Sequence, residues 1–318
     1  MDQARSAIDQ GADIDAQDED GFTALHHASI AGDTDMVEFL IKNCATIDLK
    51  DENGCTPLLV VAQEEREAAV ATLIEHGADV NASVNSWTAL HYAALLNNPH
   101  IVDMLVNNSA KVNLKNPDGW TPLHLTMQEC HGDESSILTI VDLLISKGAD
   151  VNTKSINFDT PLHYAVNSSY KFAVNTLLEH NASVDEINKD GNTPLHLAAQ
   201  NDYTEIINLL LKHGASVYAE NADYKTPLLV AAANGNVGAT NILLQASEMS
   251  AEFKINNAPK KQIIEETIKK AQKQIKQEKE FNRILDQNNN SIEEIIEKIN
   301  QIKQDTDINT INEILRHC

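Results

Sequence analysis

Histidine and cysteine are the side chains of this sequence with the chemistry to bind a metal ion or to supply a nucleophile and its base. The 318-residue chain has 12 histidines and 4 cysteines. Cys130, His131, Asp133 and Glu134 are the one local group of donors, in a segment that we predict to be a loop. Adjacent residues rarely close around one tetrahedral zinc ion, and nothing marks a pocket in which a third group orients a Cys/His pair. We therefore expect no metal, no cofactor and no catalysis, so the protein is predicted not to be an enzyme.

Five histidines recur in one context. Each is the fourth residue of a motif that begins with threonine: His26, His91, His124, His163 and His196. Residues one repeat apart are too distant to share a metal ion, since metal–nitrogen bonds are only ~2 Å long. We therefore interpret these histidines as structural.

The motif itself identifies an internal repeat. Its threonines are Thr23, Thr56, Thr88, Thr121, Thr160, Thr193 and Thr226. The spacings between them are 33, 32, 33, 39, 33 and 33 residues. Seven copies at this period indicate one supersecondary unit that is repeated along the chain.

Each copy predicts a pair of helices. Threonine suits the N-cap and proline the first helical position of a short apolar helix. A polar turn follows, and then a second helix with apolar residues at helical spacing, such as Ile206, Ile207 and Leu210. Gly214 suits a left-handed helix end. One such pair cannot bury its apolar face alone, so neighbouring pairs must stack into a continuous core.

The motifs T-P-L-H-x-A-A, at 193–199, and G-A-D-V-N, at 77–81, resemble those of the ankyrin repeat family. The resemblance covers about residues 1–250 as seven repeats and an N-terminal half repeat. It implies a mainly α fold, an ankyrin-repeat solenoid of helix-turn-helix units with β-turn fingers and a concave face. It also implies binding of other proteins without chemistry, and motif histidines that tie adjacent loops together by hydrogen bonds.

Three departures from the repeat are informative. Residues 1–10 read as a second helix only, which is either a polar cap or the cut end of a longer array. The finger at Val84-Asn85-Ser86-Trp87 lacks the usual Asp-Gly pair and is one residue short. The 39-residue spacing places six extra residues in a loop around 129–136.

The net charge of −23 is confined to the repeats. Residues 1–250 contain 12 basic and 35 acidic side chains, whereas residues 251–318 contain 12 of each. Nucleic-acid binding needs lysines and arginines to neutralise phosphates, and an anionic membrane surface attracts basic segments. With no run of 18 apolar residues, we expect neither partner. We expect another protein with a basic surface.

The cysteines and the N-terminal residues indicate the cellular compartment of the protein. Sparse cysteines without a C-x-x-C pair are typical of a reducing environment. The chain does not open with a basic region followed by an apolar stretch, which is the pattern of a secretory signal. We expect a cytoplasmic protein, with delivery into a host cell by non-classical secretion as the alternative.

The residue before each motif threonine is the candidate contact position at a fingertip. Phe22, Trp87 and Trp120 occupy it, where we expect them to be exposed, with Glu19, Asp20 and Asp118 nearby. Tryptophan is enriched in binding hot spots, so these six residues are the predicted partner-binding set. The alternative is that the rings lean on neighbouring fingers and brace the ridge.

Residues 251–318 form a second predicted domain, a C-terminal helical extension. Ile264, Ile268 and Ile275 lie on one face of a polar helix, and Ser291 opens a second helix with a capping box. The two helices are predicted to form a hairpin or to pair with another chain in a coiled-coil-like manner. The oligomeric state stays open.

Three functions are consistent with these features. The first is a non-catalytic protein–protein interaction scaffold that uses the fingertips and concave face of an acidic array. The second is a secreted effector of an intracellular bacterium that acts on host proteins. The third is a regulatory or inhibitory subunit of an enzyme or transcription factor.

Overall fold

A computed structural model of the chain describes residues 2–128 and 134–249. The chain divides into two compact units, Met1–Ala182 and Ser183–Cys318. The domain boundary predicted near residue 250 falls where the described part ends and stays a prediction. The predicted helical extension, with its hairpin or coiled-coil-like pairing, lies outside the described residues.

The first unit is a series of helix pairs. Its helices are α1 (Asp2–Asp9), α2 (Ala24–Ala31), α3 (Thr34–Lys42), α4 (Pro57–Gln63), α5 (Glu67–Glu75), α6 (Ala89–Leu95), α7 (Pro99–Asn107), α8 (Pro122–Thr126), α9 (Glu134–Ser146), α10 (Pro161–Asn167) and α11 (Lys171–Glu179). First helices pack on first helices, as α2 does on α4 and α4 on α6, and second helices stack in the same way, as α3 does on α5 and α5 on α7.

The second unit continues the pattern. It contains α12 (Pro194–Gln200), α13 (Thr204–Lys212), α14 (Pro227–Ala233) and α15 (Val237–Met249). First helix α12 packs on α14, and second helix α13 packs on α15.

The helix boundaries have the local causes that the motif predicts. All seven motif threonines are N-caps with extended backbone, and five of the first helices begin with proline. Second helices end at left-handed residues such as Gly77 (φ 89°), Gly148 (φ 85°) and Gly214 (φ 86°). A residue with positive φ ends a helix because its backbone cannot continue the right-handed spiral.

The core is a row of buried aliphatic side chains supplied by successive repeats. The leucine at the third motif position is 0–1% exposed in all five first helices of the first unit that follow a motif threonine, namely Leu25, Leu58, Leu90, Leu123 and Leu162. In the second unit Leu195, Ile207 and Leu210 are fully buried. Since each leucine packs between neighbouring helix pairs, the core grows by one layer per repeat.

The two irregular spacings have different structural outcomes. The short finger is a hairpin of β1 (Ser83–Val84) and β2 (Trp87–Thr88), with Asn85 and Ser86 at positive φ, as a two-residue turn requires. The end of the insertion is helical, because α9 begins at Glu134 and is 13 residues long. The expectation of a loop over 129–136 is therefore wrong for 134–136, which are helical. Helix α9 still packs on α7 and α11.

Candidate protein-binding surface

The motif histidines link each first helix to the next finger. The threonine N–H donates to histidine Nδ1 over 3.1–3.2 Å in all five copies. Because Nδ1 accepts this bond, the ring proton resides on Nε2, which donates to a backbone carbonyl oxygen. These Nε2 bonds run from His26 to Cys55, from His91 to Leu114, from His124 to Asp159 and from His196 to Lys225, over 2.9–3.3 Å. The geometry of these four histidines therefore shows the predicted hydrogen bonds that tie adjacent loops together.

Burial keeps these imidazoles neutral. It lowers the pKa of His91 and of His124 to about 4, and it also lowers the pKa of His26 and His196. A neutral ring with both nitrogens hydrogen-bonded is unsuited to proton transfer near neutral pH. These four motif histidines therefore have a structural function.

The fingertip aromatics are half-buried, which corrects the expectation that they are exposed. Phe22 stacks on His26, with ring centroids 5.3 Å apart. Trp87 lies 5.1 Å from the ring of Tyr92 in α6. Trp120 lies 5.8 Å from Tyr164 in α10, the first helix of the following repeat. Each of the three rings is therefore partly covered by a neighbouring ring and partly exposed to solvent.

Two tyrosines extend these contacts between repeats. Burial raises the pKa of Tyr92 and of Tyr164, and hydrogen bonds partly oppose the rise. The side chain of Gln63 in α4 opposes the rise in the pKa of Tyr92, and the side chains of Ser155 and Trp120 oppose the rise in the pKa of Tyr164. The three rings pack on residues of the first helices α2, α6 and α10, whereas the alternative interpretation placed them against neighbouring fingers.

Three predicted acidic contact residues are exposed, namely Glu19, Asp20 and Asp118. Neighbouring acids have structural partners instead. Asp18 accepts the Phe22 N–H at 2.8 Å and bonds to His27 Nε2 at 2.7 Å, and the His27 bond is the main cause of its lowered pKa. Asp51, 7% exposed, accepts the N–H of Cys55.

Sequence reasoning missed two exposed aromatic residues. Phe158 is 53% and Tyr224 is 70% exposed. Both stand at the finger position that Gly21, Gly54, Gly119 and Gly191 occupy in other copies, and both retain positive φ, 61° and 57°. Aligning the copies on their threonines reveals this replacement, so the signal was present in the sequence.

Within residues 2–128 and 134–249, no group of three His, Cys, Asp or Glu side chains lies close enough to hold one metal ion. Of the Cys130-His131-Asp133-Glu134 cluster, only Glu134 belongs to them. Cys44 is an exposed and Cys55 a buried free thiol. None of the described helices has the length and apolarity that a bilayer crossing requires.

Known proteins share this repeat. The neurogenic locus notch homolog protein 1 of Xenopus laevis is 38% identical over 127 residues, which are 39% of this chain and 5% of that protein. The human neurogenic locus notch homolog protein 2 is 40% identical over 111 residues, which are 34% of this chain and 4% of that protein. The chain therefore spans a small part of the length of these relatives.

The fold has solved counterparts. The crystal structure of the human ASB11 ankyrin repeat domain superimposes with a TM-score of 0.60 at 26% identity, covering 71% of this chain and 98% of that domain. A family model described as ankyrin repeats matches in three copies, over residues 2–84, 81–155 and 133–221. Ankyrin repeats are protein–protein interaction modules and are generally non-catalytic. With its capped helix pairs, its linking histidines and these matches, the chain belongs to the ankyrin repeat family.

Proposed function

We propose that this protein is a non-catalytic scaffold whose acidic fingertips bind a basic segment of another protein. The observation that carries the proposal is that Glu19, Asp20 and Asp118 are exposed and unpaired within the described part of the chain. All three carboxylates are exposed, and in residues 2–128 and 134–249 none of their side chains has a hydrogen-bond or ion-pair partner. Unpaired carboxylates attract cations, and they lose little by exchanging solvent for an ammonium or guanidinium group.

The half-buried rings support the same partner. Arginine and lysine side chains stack on the faces of Trp and Phe, which carry negative quadrupole density. Trp120 directly follows Asp118-Gly119, and Phe22 lies two residues after Asp20. An aromatic ring and an exposed carboxylate are therefore two residues apart in each of these fingers, a combination that suits a basic side chain.

The experiment measures the affinity of a fluorescent lysine- and arginine-rich peptide for the full chain by anisotropy, with a peptide of reversed charge as a negative probe. The test variant is Glu19→Gln/Asp20→Asn/Asp118→Asn. The matched control, Glu75→Gln/Asp103→Asn/Asp142→Asn, removes three exposed charges from second helices.

The fingertip variant is expected to weaken binding about tenfold, from three exposed charge contacts of a few tenths of a kcal/mol or more each. The control is expected to change affinity much less, and added salt is expected to weaken binding of the unmodified chain. Equal losses in both variants would show an effect of net charge alone and contradict the proposed surface.

A further inference from the structure

One finger of the first unit presents apolar side chains to solvent. In the turn at 155–159, Ile156 is 60% and Phe158 is 53% exposed. Two large apolar side chains in one turn form an exposed patch, and such patches mark interaction sites when solubility alone would favour polar residues.

The backbone under this patch is strained. Phe158 has φ 61°, in the left-handed region that bulky residues avoid. In the same unit the equivalent residues Gly21, Gly54 and Gly119 adopt φ 78°, 87° and 74°. Glycine would satisfy this turn without strain, so the fold does not require the phenyl ring. An outlier that persists despite its cost is a basis for a functional hypothesis.

The apolar finger adjoins the finger that carries Trp120. The N–H of Ile156 donates to the carbonyl oxygen of Asp118 over 3.0 Å. Lysines are also present here, because Lys115 Nζ donates to the carbonyl oxygen of Lys154 over 2.9 Å. Acids and lysines are therefore mixed at this end of the finger row.

The opposite end of the row in the same unit is acidic. The first two fingers are joined by the N–H of Glu52, which donates to the carbonyl oxygen of Asp20 over 3.2 Å. Glu19, Asp20 and Glu52 are exposed there. The finger row of the first unit thus has one acidic end and one apolar end.

We propose that the partner is a single extended segment with two parts, a basic cluster that binds the first two fingers and an aliphatic or aromatic anchor that binds Ile156 and Phe158. This inference rests on the proposed function and specifies its ligand. Stacked helices lie 8–10 Å apart, so the three to four steps between these fingers cover roughly 30 Å. An extended chain covers that distance in about ten residues, which sets the spacing of the two parts.

The experiment compares two synthetic peptides on the full chain by fluorescence anisotropy. One carries a basic cluster alone, and the other adds a leucine–phenylalanine anchor at the proposed spacing. The test variant is Phe158→Gly, which inserts the residue that the turn favours and therefore does not threaten folding. Phe172→Ser is the matched control, since Phe172 is 56% exposed but lies on the second helix α11.

The anchored peptide is expected to bind at least about tenfold more tightly than the basic one, as an anchor at a hot spot does. Phe158→Gly is expected to abolish that gain and to leave the affinity of the basic peptide unchanged, whereas Phe172→Ser changes neither. If the anchor adds nothing, or if its gain survives in Phe158→Gly, the inference is overturned while the proposed function stands. If neither peptide binds, both proposals fail.

Discussion

The indole ring of Trp120 stands edge-on to the phenol ring of Tyr164, with centroids 5.8 Å apart and planes at 78°. The two residues belong to consecutive repeats, so this ring contact joins a finger to the first helix of the next repeat.

This contact predicts an energetic coupling between the two rings. We expect Trp120→Leu and Tyr164→Leu each to destabilise the first unit, and the double variant to lose less than the sum by about 1 kcal/mol, the usual contribution of an edge-to-face pair. Urea unfolding of the four proteins measures the coupling. Phe22→Leu with Tyr164→Leu is the control pair and should be additive. Additive losses for Trp120 and Tyr164 would show that the rings do not brace the repeats.

The motif histidines predict loss of stability in acid. The pKa of His91 is about 4 in the folded chain and ~6.5 when unfolded. A group whose pKa is lower in the folded state contributes stability that is fully present above pH ~6.5. This stability is lost as the pH falls toward 4. For one buried ring the loss is on the order of 3 kcal/mol.

The histidine effect is measured by urea unfolding of the unmodified chain and of His91→Leu between these pH values. Leucine is the matched replacement because Leu59 and Leu229 occupy the same motif position in other copies. The difference in unfolding free energy between the two proteins should shrink as the pH falls. If the difference in unfolding free energy does not vary with pH, His91 has the same pKa in the folded and the unfolded chain.

The close approach of fingers predicts unequal effects of two glycine substitutions. A Cβ at Gly119 would lie 2.9 Å from the backbone nitrogen of Ile156, whereas a Cβ at Gly148 meets nothing within 4 Å. Both glycines have positive φ, so alanine costs about 1–2 kcal/mol at either position. Gly119→Ala should cost at least about 1 kcal/mol more, since it also displaces the Ile156–Asp118 hydrogen bond. Thermal unfolding compares the two variants, and equal losses would contradict the contact.

The helices were predictable because their signals are local and repeated. The two residues Thr193-Pro194 are enough to mark an N-cap and the first helical residue. The single residue Gly214 is enough to mark a helix end. Stacking follows from the apolar faces. The start of α9 was not predictable, because Glu134–Ser136 carry no capping signal that separates them from the insertion before them.

The candidate site was less predictable because it depends on contacts between copies. The partial burial of Trp120 is set by Tyr164, which is 44 positions later in the chain. That contact does not follow from residue type or period. The exposure of Glu19, Asp20 and Asp118 was predictable because turn positions place acids in solvent.

The most direct test of the acidic fingertips as the binding surface is a chemical-shift map of the isotope-labelled full chain titrated with the lysine- and arginine-rich peptide. The predicted result is a set of shifts in the backbone amides of residues 18–22, 51–55 and 117–120, with the amides of α3, α5 and α7 unchanged. Shifts confined to those second helices, or distributed evenly over both faces, would contradict the proposed binding surface.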